Sequence, residues 1–156
     1  MKIAVLGLGF VGTTSMLGFS SLGFKVTGIE KNIERLNGFK ENKIPFYDKE
    51  LQIKFESSSD INFISHPKEL SDDIKDILVC VETPFVESKL DLSIVKAAIR
   101  SICEHGKSKN IWLRSTIDNP EEIIAFQKEV NKSDNNLYLY PEFMREGNCW
   151  EDFFDP

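Results

Sequence analysis

Short apolar runs alternate with longer stretches of helical period along the whole chain. The apolar runs predict six β-strands, at residues 2–6, 25–29, 61–64, 77–81, 111–113 and 137–139. Apolar residues spaced three or four apart predict helices at 11–22, 33–36, 49–55, 92–104 and 121–130, with Asp91 as the N-cap of the fourth helix. The tail, residues 141–156, is aromatic and is expected to be irregular.

Strands separated by crossover helices form a parallel sheet with helices on both faces. The continuous apolar run at 77–81 fits a central strand of such a sheet, because a central strand is covered on both sides. We therefore predict a single α/β domain, a doubly wound parallel sheet of six strands in the order 3-2-1-4-5-6. No linker, repeat or low-complexity segment divides the chain.

A glycine motif, G-L-G-F-V-G, begins at Gly7, between the first predicted strand and the first helix. Its spacing matches G-x-G-x-x-G, the dinucleotide-binding fingerprint of Rossmann folds. Gly7 allows the tight turn, Gly9 lets the backbone approach a pyrophosphate, and Gly12 permits close packing of helix on strand. The backbone N–H groups at the start of the helix, including those of Phe10 and Val11, would then bind the phosphates.

Glu30 follows the second predicted strand, 18 residues after Gly12. An acidic residue at this place accepts hydrogen bonds from the ribose hydroxyls of the adenosine and repels a 2′-phosphate. We therefore predict NAD rather than NADP as the cofactor, with Lys31 and Arg35 close enough to soften the preference and Arg35 among the cofactor contacts. The alternative is a glycine-rich turn followed by an ordinary surface glutamate.

Polar residues follow the last three predicted strands, at the edge of the sheet where ligands of this fold bind. They include Thr83, Thr116, Glu142 and Glu146, and we expect all four to open onto one cleft. The two glutamates are four residues apart and suit an acid/base pair or acceptors for sugar hydroxyls. A capped surface turn is the alternative for this segment.

The charge and the cysteine and histidine content exclude several classes of function. With 25 acidic and 19 basic side chains the net charge is −6, which argues against nucleic-acid binding. No apolar run approaches the roughly 18–20 residues of a membrane-spanning helix. Widely spaced Cys80, Cys103 and Cys149 indicate a reducing, cytoplasmic setting rather than a disulfide framework, and none is expected to be catalytic. The two histidines are isolated, so no metal site is predicted.

Over its whole length the chain resembles the amino-terminal NAD-binding domain of the UDP-glucose/GDP-mannose dehydrogenase family. The resemblance rests on the glycine motif and on K-I-P-F-Y at 43–47, V-E-T-P at 81–84, D-L-S at 91–93, S-T at 115–116 and P-E-F-M-R-E-G-N at 141–148. The last of these segments is the most specific. Members of this family oxidise the C6 alcohol of a nucleotide sugar to a carboxylate with two NAD in succession, through a thiohemiacetal and a thioester on a cysteine.

The resemblance implies a role for each residue that matches a family motif. Thr83 would lie beside the cofactor, and Thr116 would position the hydrolytic water and also contact the cofactor. Glu142 and Glu146 would act as acid/base or orienting groups near the sugar and the nicotinamide, which makes Glu146 a cofactor contact too. The substrate would be bound by Glu142, Phe143, Met144 and Arg145.

Two positions and one short segment depart from the family pattern. Glu30 stands where Asp is common, and Glu82 replaces a proline or glycine before Thr83. Residues 117–120 read I-D-N-P in place of the common Pro-Pro-Gly-Thr. Because Glu82 adds a negative charge beside the proposed cofactor site, we expect a cofactor affinity below that of typical members.

The family's nucleophilic cysteine, and the helix that carries its lysine and asparagine, belong to a carboxyl-terminal half with no counterpart in residues 1–156. We therefore expect residues 1–156 to be the NAD-binding domain of a larger dehydrogenase, without its central and carboxyl-terminal substrate domains, and to bind NAD without turnover. Two other hypotheses stay open: a short protein that senses NAD(H) without chemistry, and half of a different two-domain NAD-dependent dehydrogenase. The sugar is not identified, and the oligomeric state is open, since family members commonly dimerise through the segment that links their domains.

Overall fold

Six strands form a parallel sheet at the centre of the computed structural model, which describes residues 1–145 and 147–155. In chain order the strands are β1 (Lys2–Leu6), β2 (Lys25–Ile29), β3 (Ile61–Ile64), β4 (Asp76–Val79), β5 (Phe85–Val86), β6 (Lys89–Leu90), β7 (Asn110–Leu113) and β8 (Asn136–Leu139). The sheet has the order β3-β2-β1-β4-β7-β8, while β5 and β6 pair as a separate antiparallel ribbon. This confirms the predicted order 3-2-1-4-5-6, because β7 and β8 are the fifth and sixth predicted strands.

Helices cover both faces of the sheet. They are α1 (Phe10–Ser21), α2 (Ile33–Lys40), α3 (Lys49–Glu56), α4 (Ser93–His105), α5 (Pro120–Asn131) and α6 (Cys149–Phe154). β1 alternates between two cores: Ile3 and Val5 pack beneath α1, whereas Ala4 and Leu6 pack beneath α4 and α5. Within the described residues, no helix is both long and apolar enough to cross a membrane.

Three local predictions are wrong. The fourth strand is Asp76–Val79 rather than 77–81, because the chain leaves the sheet after Cys80 and forms the β5–β6 ribbon. The N-cap of α4 is Leu92, and Asp91 supports the start of the helix from one residue further out, where its Oδ1 accepts from the Ser93 N–H at 2.9 Å. The tail is partly regular, since α6 packs its buried side against α1.

The contact between α1 and α6 depends on Gly18. A methyl group at this position would lie 2.3 Å from Cε1 of Phe153, so only glycine leaves room for the ring. Phe153 also packs edge-on against Phe19, with ring centroids 5.4 Å apart. With β1 on one side and α6 on the other, every residue of α1 from Gly12 to Gly18 is buried. The helix that begins at the glycine motif is therefore held firmly in place.

Candidate functional site

The glycine motif forms a tight turn between β1 and α1. Gly7 has a φ of +89°, and its N–H donates to the Ile29 carbonyl at 2.9 Å. A Cβ on Gly7 would lie 2.9 Å from the Cys80 carbonyl oxygen, and a Cβ on Gly12 would lie only 1.9 Å from the Gly7 carbonyl oxygen. Both positions therefore require glycine, one for its backbone conformation and the other for the close approach of helix to strand.

Helix α1 begins without a side-chain cap. Asn32, Asp48 and Asn119 cap α2, α3 and α5 through their side chains. The N-cap of α1 is instead Gly9, its first turn has no acidic residue, and a methyl group at Gly9 would meet no atom within 4 Å. The amino end of α1 is thus open to a ligand, and its first backbone N–H groups, which have no partner within the helix, suit a phosphate.

Glu30 lies directly after β2, and its carboxylate is tied to the glycine turn. Oε2 accepts a hydrogen bond from the Leu8 N–H at 3.2 Å, and Oε1 accepts one from the Asn32 N–H at 2.8 Å. The residue is buried, at 5% exposure, and lines the cleft beside the turn. A carboxylate has about four acceptor sites, so this one can still accept from ribose hydroxyls, in an orientation that the backbone holds.

A cleft of about 1020 Å³ runs along the carboxyl ends of the strands. Its volume is at the upper end of the range for small-molecule sites, about 300–1,000 Å³. The predicted site residues that line it are Gly7, Gly9, Phe10, Val11, Glu30, Arg35, Thr83, Thr116 and Glu142. Gly12 lies buried beneath it, where it packs against the turn. The dinucleotide motif and the polar ends of β4, β7 and β8 thus meet in one cleft.

The segments that follow β7 and β8 are fixed by short hydrogen bonds. The Ser115 hydroxyl donates to the Val81 carbonyl at 2.6 Å, which joins the chain after β7 to the chain after β4. The neighbouring Thr116 is exposed in the cleft, whereas Glu142 is half-buried. Glu142 Oε2 accepts from the Met144 N–H at 2.6 Å, so the orientation of its carboxylate is set by its own backbone. A hydroxyl and a carboxylate are therefore available at this end for acid/base chemistry or for binding sugar hydroxyls.

Three predicted substrate residues do not line this cleft. Phe143 is 80% exposed, and Met144 lines an adjoining cavity of about 670 Å³. The Arg145 guanidinium pairs with the tail, since Nε and Nη2 donate to the Asp152 carboxylate at 3.1 and 2.7 Å. These hydrogen bonds lower the pKa of Asp152. Glu146, the remaining predicted catalytic residue, lies outside the described residues.

Arg114 lines the cleft but was not predicted from the sequence. It follows β7 directly, is buried at 7% exposure, and its guanidinium carbon lies 4.7 Å from the centre of the Tyr140 ring. Its Nε meets no hydrogen-bond acceptor in the described part of the chain. In the sequence, Arg114 is distinguished only by its position: it is a basic residue between the apolar strand at 111–113 and the polar pair Ser115-Thr116.

Two cysteines, Cys80 and Cys149, lie where a thiolate is disfavoured. Burial raises the pKa of the Cys80 thiol to about 12, against the smaller opposing effect of the Arg114 guanidinium. Burial likewise raises the pKa of Cys149, which packs in the core beneath α1. Among residues 1–145 and 147–155, no three His, Cys, Asp or Glu side chains are grouped so that they could hold a metal ion.

The whole chain, residues 1–156, matches the model of a protein family described as the UDP-glucose/GDP-mannose dehydrogenase family, NAD binding domain. A UDP-glucose 6-dehydrogenase of Rickettsia bellii is 32% identical over 163 residues, which cover 100% of this chain and 37% of that protein. The chain thus spans well under half the length of such curated relatives.

Two solved structures share the fold along almost the whole chain. A UDP-glucose dehydrogenase from the hyperthermophilic archaeon Pyrobaculum islandicum has a TM-score of 0.85 at 27% identity and covers 98% of this chain and 38% of its own. A ternary complex of GDP-mannose dehydrogenase from Pseudomonas aeruginosa has a TM-score of 0.86 at 20% identity, with the same coverage of 98% and 38%. The second likeness shows the fold alone.

Proposed function

We propose that this chain, which belongs to the UDP-glucose/GDP-mannose dehydrogenase family, is the cofactor-binding part of a nucleotide-sugar 6-dehydrogenase. NAD is the cofactor of its domain family. The observation that carries the proposal is the continuity of the cleft, which is lined by the glycine turn, by Glu30 and by the polar residues after β7 and β8. A dehydrogenase of this fold needs both the dinucleotide-binding motif and the polar residues at the other end of the cleft, because the dinucleotide must reach from its binding motif to the substrate.

The residues present fit NAD at the β1–β2 end of the cleft. The backbone N–H groups of Phe10 and Val11 would hold the pyrophosphate over the open space at Gly9. The Glu30 carboxylate would accept hydrogen bonds from the adenosine ribose and repel a 2′-phosphate. Lys31 and Arg35 line the same end as exposed cations, which would reduce the preference for NAD without reversing it.

At the other end, NAD supplies a hydride acceptor when it is bound. Thr83 would contact the cofactor, and Thr116, which is exposed in the cleft, would position a water molecule. The Glu142 carboxylate would accept a hydrogen bond or a proton from the sugar, in the orientation that the Met144 N–H imposes. Glu146 would share this work.

We further propose that the complete protein oxidises the C6 alcohol of a UDP- or GDP-sugar to a carboxylate with two NAD. The nucleophilic cysteine would come from a part of the protein outside residues 1–156, as the greater length of the curated relatives suggests. Neither Cys80 nor Cys149 suits the role, because burial raises the pKa of each thiol. The isolated chain would then bind NAD and share the substrate site without turning over.

Calorimetric titration of the purified chain with NAD, and separately with NADP, tests the cofactor proposal. We expect saturable NAD binding, weaker NADP binding, and at least a tenfold loss of NAD affinity in Glu30→Ala, since hydrogen bonds to a charged group are worth about 1.5–3 kcal/mol. Arg100→Ala removes a charged side chain from the solvent side of α4 and should bind NAD like the wild type. Absent NAD binding, or equal affinity for NADP, would contradict the proposal.

Turnover is measured separately, as NADH absorbance with UDP-glucose or GDP-mannose. No increase is expected from this chain. Steady NADH formation would contradict the assignment of the nucleophile to a segment outside residues 1–156.

A further inference from the structure

Arg114 places a positive charge inside the cleft without a neutralising partner among the described residues. Its Nε has no acceptor there, and none of the salt bridges found between described residues includes it. The guanidinium group of an arginine is a permanent cation in proteins. Because a buried charge without an anion is unfavourable, this position favours an anionic ligand.

The place of Arg114 in the sheet determines which part of the ligand it meets. The glycine turn follows β1 and Glu30 follows β2, whereas Arg114 follows β7, on the other side of β1. The pyrophosphate and the adenosine therefore belong to the opposite half of the cleft. The Tyr140 ring lies 4.7 Å from the guanidinium carbon and covers one face of the group. A planar guanidinium held in this way keeps its N–H donors at its edge for a ligand.

The acidic side chains that the structure describes at this end do not neutralise the guanidinium. Glu142 makes no salt bridge with Arg114, and its Oε2 is engaged by the Met144 N–H at 2.6 Å. Glu82 lines the same cleft but is exposed, so water solvates its carboxylate. The cation is thus left for a ligand.

The dinucleotide does not supply an anion at this end, because nicotinamide is cationic when oxidised and neutral when reduced, and its ribose and carboxamide are uncharged. The oxidation proposed above does supply one, since it converts an alcohol into a carboxylate next to the nicotinamide. We propose that Arg114 binds the carboxylate of a sugar acid, a uronate, through charge-assisted hydrogen bonds. This inference rests on the proposed function.

NMR of the uniformly ¹⁵N-labelled chain observes the group directly, through its Nε–H signal. The chain has four arginines, and the signal that disappears in Arg114→Lys identifies Arg114. Glucuronate is added to the chain saturated with NADH, and glucose, which has an alcohol in place of the carboxylate, is the control ligand. We expect glucuronate, but not glucose, to shift the Arg114 signal. The Arg100 signal should stay in place, because its Nε already donates to Glu129 at 2.7 Å.

Affinity measurements on variants give a second readout. Arg114→Gln should weaken glucuronate binding about tenfold or more, equivalent to about 1.4 kcal/mol, and should affect NADH affinity far less. Arg100→Gln makes the same chemical change outside the cleft and is the matched control. An equal shift with glucose, or wild-type glucuronate affinity in Arg114→Gln, would overturn the inference.

Three further outcomes separate the sources of failure. If Glu146→Gln moves the Arg114 signal without any ligand, the anionic partner belongs to the protein and the inference is overturned. Failure of NADH to bind would overturn the proposed function and with it this inference. NADH binding without any effect of glucuronate would overturn this inference alone.

Discussion

Alanine at Gly9 and at Gly12 should affect cofactor affinity and stability differently, although the two positions lie in the same turn. At Gly12 the new methyl carbon would lie 1.9 Å from the Gly7 carbonyl oxygen and 3.3 Å from Cβ of Cys80. The Gly7 backbone cannot yield easily, because its N–H donates to the Ile29 carbonyl at 2.9 Å. Helix α1 must therefore move away from β1. At Gly9 the methyl carbon would meet no atom within 4 Å and would instead fill the space of a ligand.

The expected magnitudes follow from these contacts. Overpacking costs about 1–3 kcal/mol, and each kcal/mol lowers Tm by about 2–4 °C in a domain of this size, so Gly12→Ala should melt about 2–12 °C below the wild type. Gly9→Ala loses only the advantage of glycine over alanine at an N-cap, about 1 kcal/mol. It should, however, lose most of the interaction between the helix terminus and the pyrophosphate, up to ~2 kcal/mol, which is about 30-fold in affinity.

Thermal unfolding followed by circular dichroism gives the Tm of each variant without ligand, and calorimetry gives the NAD affinity. Gly38→Ala in α2 is a control, because its methyl carbon would make only an ordinary 3.4 Å contact with the Lys43 carbonyl oxygen. That variant should gain stability, since alanine favours a helix by about 1 kcal/mol over glycine, and should keep its NAD affinity. The reasoning is refuted if Gly12→Ala melts at the wild-type temperature or if Gly9→Ala binds NAD as tightly as the wild type.

Three further changes test single charges. Glu30→Gln keeps the size of the side chain and removes its charge, so calorimetry should show NADP gaining about tenfold on NAD; an unchanged ratio would exclude a role for the charge. Glu82→Gln should favour NADH over NAD by up to about fivefold, since an exposed charge contributes about 0.2–1 kcal/mol; equal effects on the affinities of both forms would argue against a role for the Glu82 charge. Arg145 holds the pKa of Asp152 below its ordinary value of 3.8, so this carboxylate stabilises the fold above about pH 4 and loses the effect as pH falls through the lowered pKa. Asp152→Asn should therefore lower Tm at neutral pH and approach the wild type in acid, and a Tm difference independent of pH would contradict this.

The cofactor end of the cleft could be predicted because it depends on neighbouring segments of the chain. The glycine spacing, β1, α1 and β2 follow one another within the first 30 residues, and each has a local signal. The geometric demands on Gly7 and Gly12 are those that the motif implies. The hydrogen bond from the Leu8 N–H to Glu30 was not foreseen, since it joins the ends of two strands.

Two other features could not be predicted, because the residues involved acquire their roles from distant partners. Gly18 in the middle of α1 looks like a weak point in a helix until Phe153 occupies the space above it. Arg114 directly follows β7 and is buried, with Tyr140, the residue directly after β8, over its guanidinium. Neither pairing leaves a periodic pattern in the sequence.

The anion binding proposed for the cleft would depend on local groups rather than on the charge of the whole protein. A net charge of −6 would repel an anionic dinucleotide, but at physiological ionic strength charges beyond about 8 Å are largely screened. Affinity would therefore depend on groups in contact with the ligand. The N–H groups of α1 would attract the pyrophosphate, and Glu30, three strands away from Arg114 in the sheet, would oppose one additional phosphate. An acidic protein could in this way bind a dinucleotide at one end of the cleft and a carboxylate at the other, because the electrostatic interaction that selects each ligand acts within a few ångströms of a single group.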